Sequence, residues 1–157
     1  MDLGTTIIGF IILFICLLPF ILMGVSRSKR KKQFLQTLVD YANEHKGSIN
    51  QHETAGDIII GLDEKNNTVF FYTKNKTTET KQHIRLVDYI KCAVDTTTRD
   101  FNNSKVIDTV ELTFTPIEKT KPIENLLFFN SKNNLQLSGE LQLAEKWAIL
   151  INSKIGK

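Results

Sequence analysis

Residues 5–25 carry no charge, and Arg27, Lys29, Arg30, Lys31 and Lys32 follow them directly. An apolar helix of about 20 residues, rising ~1.5 Å per residue, crosses the ~30 Å hydrocarbon core of a bilayer. A helix is the form such a stretch must take in lipid, because it satisfies its own backbone hydrogen bonds. The predicted transmembrane side chains are Ile7, Ile8, Phe10, Ile11, Ile12, Leu13, Phe14, Ile15, Leu17, Leu18, Phe20, Ile21 and Leu22, with Pro19 bending the second half. A cleaved signal peptide is the competing reading, but it needs a basic leader and a small-x-small cleavage site. Only Met1, Asp2, Leu3 and Gly4 precede the run, and Gly24-Val25-Ser26-Arg27 ends it. The segment therefore reads as an uncleaved anchor. With basic residues only on its C-terminal side, it predicts a single-pass inner-membrane anchor, N-terminus outside and body in the cytoplasm. Arg27, Lys29, Arg30, Lys31 and Lys32 are predicted to meet the membrane surface. Setting topology is their plainer role, and binding anionic headgroups at ~1 kcal/mol each is the alternative.

Charge is concentrated in that stub. Of 20 basic and 17 acidic residues, five basic ones lie in it and only Asp2 precedes it, so residues 33–157 carry 15 minus 16, or −1. A nucleic-acid partner would need clustered Lys and Arg on the folded body, and none is predicted. Two cysteines far apart in sequence, Cys16 and Cys92, predict no disulfide framework.

Three parts follow: an anchor at 1–26, a basic segment with an amphipathic helix at 27–47, and a β domain at 48–157. Phe34, Leu35, Leu38, Val39, Tyr41 and Ala42 recur at helical spacing, predicting a helix over 31–45 that stops at Gly47. It either continues the membrane helix or lies along the bilayer. Beyond it, β-branched and aromatic residues predict strands at 48–51, 57–62, 68–74, 80–86, 90–97, 106–115 and 123–130, separated by turn-forming residues. Val110, Leu112 and Phe114 alternate with polar neighbours, as do Ile90, Cys92 and Val94, so one face of each strand should be wet and the sheet antiparallel. A last helix is predicted over 139–153, with Ser138 as N-cap, Glu140 in its first turn, and an apolar stripe of Leu143, Trp147, Leu150 and Ile151. The fold class is thus α+β.

About seven strands followed by one amphipathic helix resemble the pleckstrin-homology (PH) superfold. The resemblance implies a PH-like antiparallel β-sandwich or barrel of two nearly orthogonal sheets, with the C-terminal helix covering their open corner. A lipocalin-like or other small barrel is the alternative. Three phrases carry a further likeness: residues 61–72 (GLDEKNNTVFFY), 110–114 (VELTF) and 139–147 (GELQLAEKW). They resemble those of small, uncharacterised single-span membrane proteins of Bacteroidota, a likeness that imports no activity.

Chemical motifs are sparse. No Gly-x-Ser-x-Gly elbow, phosphate-cradling glycine loop or HExxH helix occurs in the sequence. His45 and His52 with Glu53 match no zinc spacing, so His45, His52 and His83 read as surface residues. Cys92 alternates with apolar neighbours and points inward. Asp57, Asp63, Glu64, Asp88 and Asp95 fall at strand ends and turns, where acids are normally solvated, and Asn66 and Asn75 head chance Asn-x-Thr triplets. Lys74, Lys76 and Lys81 read as a solvated edge that discourages strand pairing. No catalytic, metal or cofactor residue, no cofactor and no small-molecule substrate are predicted. The expectation is a noncatalytic adaptor at the cytoplasmic face, held by the lipid bilayer and binding a protein partner. The alternatives are an anionic-lipid module and a tethered enzyme with an unrecognised His or carboxylate site.

Overall fold

The computed structural model describes residues 28–75, 78–101, 104–134 and 136–156. The predicted membrane span and Arg27 lie outside them; among the described residues no helix is long and apolar enough to cross a membrane. The chain divides into two compact units, 1–35 and 36–157. In the first, the described residues are helical, with the Arg30 guanidinium 5.2 Å from the Phe34 ring centroid. Lys29, Arg30, Lys31 and Lys32 are exposed there.

That helix, α1, covers 28–44 and ends in the second unit. Then come β1 (Gln51–Ala55), β2 (Ile58–Asp63), β3 (Thr68–Lys74), β4 (Glu79–Arg85), a 3-10 turn (Leu86–Asp88), β5 (Tyr89–Phe101), β6 (Ser104–Pro116), β7 (Glu124–Asn130) and α2 (Glu140–Lys154). The body is α+β: two antiparallel sheets, β1-β2-β3-β4 and β5-β6-β7, with a C-terminal helix. Alternation decides which side chains meet between them. Ile58, Ile60, Leu62, Val69, Phe71 and Ile84 from the first sheet share one core with Val110, Leu112 and Phe114 from the second. From α2, Leu143, Trp147 and Ile151 enter the same core, and the Trp147 side chain is fully buried. α2 packs against β1 of one sheet and against β5, β6 and β7 of the other. Asn152 fixes that contact: its side-chain oxygen accepts from the Cys92 N–H (2.9 Å), and its amide donates to the Cys92 and Ala148 carbonyls (2.7 Å each). The helix side chain thus mimics a neighbouring strand at one point of the β5 edge.

The expectation of one wet face fails in β2 and most of β3. All six residues of β2 and the first five of β3 are buried, because residues 36–44 of α1 cover the outer face of the first sheet. Leu38 and Ala42 are fully buried there, as is Ile59, while Phe70 and Tyr72 are nearly so. Gly61 allows the approach, since a Cβ at that position would lie 2.9 Å from Leu38 Cδ2. Each large apolar side chain so buried contributes about 1.5–3 kcal/mol. This half of the helix therefore lies along its own sheet.

Several boundaries differ from the sequence reading. The first strand is Gln51–Ala55, not 48–51, because Gly56 at φ +53° makes a tight turn to β2. α1 ends at 44 with Lys46 in the left-handed conformation. Gly47 is needed for space instead, as a Cβ there would lie 2.8 Å from Phe70 Cζ. Ser138 is not the N-cap of α2. Gly139 holds that position at φ +103°, and the Ser138 N–H donates to the buried Glu140 carboxylate. Asp63, read as a solvated acid, is fully buried. Its Oδ1 accepts from the Lys65 and Asn66 N–H groups (2.9 and 3.0 Å), and its Oδ2 from the Ser48 N–H and Asn66 Nδ2 (2.8 Å each). Burial pushes this carboxyl up, but the bonds from Asn66, Ser48 and Lys65 together outweigh it and hold it below the usual aspartate value.

Candidate interaction surface

A register shift between Tyr89 and Lys91 interrupts the β5–β6 ladder. Such a bulge re-aims the extra residue. Cys92 is buried as expected, but Ile90 is turned out and is 59% exposed. It has company. Tyr89 pairs with Pro116, the Asp88 carbonyl accepts from the Ile117 N–H at 2.9 Å, and Glu124 pairs with Phe114. These pairings gather Val87, Ile90, Ile117 and Ile123 at one end of the three-stranded sheet, each more than half exposed. Around them Asp88 is bound by Arg85 at 2.8 Å and by Lys121 at 3.5 Å. Burial, then the neighbouring Glu124, raises the Tyr89 hydroxyl to about 12, so it stays neutral beneath this surface. An aliphatic cluster with a charged rim is the composition of a contact surface.

A second feature is a concavity of about 340 Å³ where α1 ends over β3 and β4. His45 Nδ1 lies 2.9 Å from the Tyr41 carbonyl, which fixes Nδ1 as the protonated nitrogen of the neutral ring. His83 Nδ1 lies 3.0 Å from the Tyr41 hydroxyl, and the two imidazole centroids are 4.2 Å apart. Desolvation first, then the charge of His45, holds the His83 pKa down, with Arg85 adding and Glu124 opposing. All three histidines are exposed, as read from sequence, yet the His45–His83 contact had no signal there because 38 residues separate them. A third opening, of about 210 Å³, lies between β4 and β7 over Phe71 and Phe128.

The remaining singled-out residues take structural places. His52 is exposed on β1, and among the described residues no three His, Cys, Asp or Glu side chains gather as a metal-ligand set. Glu53 pairs with Lys146 at 2.6 Å. Lys74 pairs with Glu79 at 3.1 Å, Lys81 lies 6.0 Å from the Tyr41 ring centroid, and Lys76 is outside the described residues. Burial first, then Asp95, pushes the Cys92 thiol up to about 12, unsuited to a nucleophile at neutral pH. No family model, curated protein or solved structure matches the chain.

Proposed function

We propose that this chain is a membrane-tethered, noncatalytic adaptor whose PH-like body docks a protein partner at the cytoplasmic face. One observation carries the reading: Val87, Ile90, Ile117 and Ile123 are each more than half exposed at one end of the three-stranded sheet, while the other exposed large aliphatics among the described residues, Val106 and Ile149, lie singly on β6 and α2. A scattered exposed aliphatic is ordinary, but a gathered set marks a contact surface. The near-neutral charge of residues 33–157 favours protein over a strongly anionic surface as its occupant. Two antiparallel sheets bridged by the C-terminal helix agree with the PH-like resemblance. Residues 5–25 supply the anchor, and the basic stub sets its orientation. Confinement to the bilayer raises the effective concentration for a partner also held there.

The test places a photo-crosslinking side chain at Ile117 in the full chain within native membranes. The expected result is one protein adduct of defined mass, lost when Ile90→Lys and Ile123→Lys are added. Adducts to lipid alone, or an adduct indifferent to those lysines, would overturn the reading.

A further inference from the structure

The concavity at the end of α1 gathers unlike chemistry from the rest of the neutral body. His45, Lys46, His83 and Arg85 line it beside Asn66 and Phe70, and among the described residues no acidic side chain lines it. Asp63 lies near, beneath Gly47, but is buried and engaged by four hydrogen bonds. We propose that this concavity binds a phosphate-class oxyanion, with Lys46 and Arg85 as fixed charges and the His45–His83 pair as proton-dependent donors.

The argument is electrostatic. Two imidazoles 4.2 Å apart oppose each other's protonation, and neither has a carboxylate hydrogen-bonded to it among the described residues. Lys81 and Arg85 on β4 and Lys46 after α1 add positive charge; of the acids, Glu124 on β7 acts on His83, and Glu44 on α1 acts on the neighbouring Tyr41 hydroxyl. A metal cation would meet Lys46 and Arg85 with only two imidazoles to hold it. An oxyanion relieves the repulsion instead and accepts from each donor. With Nδ1 of each ring engaged by Tyr41, Nε2 is the nitrogen left for a ligand, and it donates only when the ring is protonated or carries its proton there. Anion binding and proton uptake are therefore linked, and binding strengthens as pH falls. Arg85 can turn to a ligand at small cost, because Asp88 keeps Lys121.

The experiment titrates inorganic phosphate into the full chain, labelled at histidine, in non-ionic maltoside micelles, following the ring signals by NMR. The expected result is a saturable shift of His45 and His83 with Kd on the order of 1 mM, while His52, exposed on β1, does not move. Both pKa values should rise on binding, and for one linked proton affinity should fall about tenfold per pH unit above them. Lys46→Gln and Arg85→Gln should each weaken binding roughly tenfold. Phosphatidic acid doped into phosphate-free micelles tests the source: the same shifts identify a headgroup, and shifts with soluble phosphate alone identify a free ligand. Equal movement of all three histidines, no difference from chloride at matched ionic strength, or saturation by zinc but not by phosphate would overturn the proposal.

Discussion

Replacing Asp63 by asparagine changes no volume and removes one charge, so its effect isolates the hydrogen bonds at the β2–β3 turn. The two carboxylate oxygens divide four donors evenly, two to each. An amide in either orientation keeps one oxygen and sets its NH2 against two donors. Asn66 cannot compensate by rotating, because its amide also donates to the Lys46 carbonyl at 3.2 Å. Two bonds to a charged acceptor are lost, at about 1.5–3 kcal/mol each, so Asp63→Asn should destabilise the body by about 3–6 kcal/mol. The pH dependence has a definite sign. The folded carboxyl sits below the ordinary value of 3.8, so its contribution is present above that value and lost as pH falls through the lower, folded one. The gap between wild type and variant should narrow on acidification in that window. Urea unfolding of the full chain in micelles, followed by the buried Trp147, measures both. A variant within about 0.5 kcal/mol of wild type at pH 7, or a gap independent of pH below 3.8, would refute the reasoning.

Asn152→Ala should cost about 2–3 kcal/mol, since three hydrogen bonds go and the Cys92 backbone loses its partner; faster amide exchange at Cys92 checks it. The Cys92 thiol should resist alkylation at pH 8 in the folded protein and react only on unfolding, which mass spectrometry at rising urea reads out.

Much of the fold is legible in residue pattern. Val110, Leu112 and Phe114 point inward as their alternation requires, and the stripe of Leu143, Trp147 and Ile151 sits in the core. What escaped is non-local. The burial of both faces of β2 follows from α1, whose apolar positions announce a helix but not the surface it lies on. Ile90 fits the alternation of Cys92 and Val94, and only the bulge, a property of pairing with β6, turns it outward. Asp63 carries no apolar signal, and its burial follows from backbone donors converging in a turn. The two contact features behave alike. Four aliphatics from two stretches, 87–90 and 117–123, come together only through the pairing of β5, β6 and β7, and two histidines only where the end of α1 lies over β4.

The helix lying across the first sheet also decides how this protein can be cut. A fragment begun at Ser48 would strip Leu38 and Ala42 away and leave Ile59, Phe70 and Tyr72 as a bare greasy plate. Its self-association would then be an artefact of the scissors, easily mistaken for a physiological oligomer.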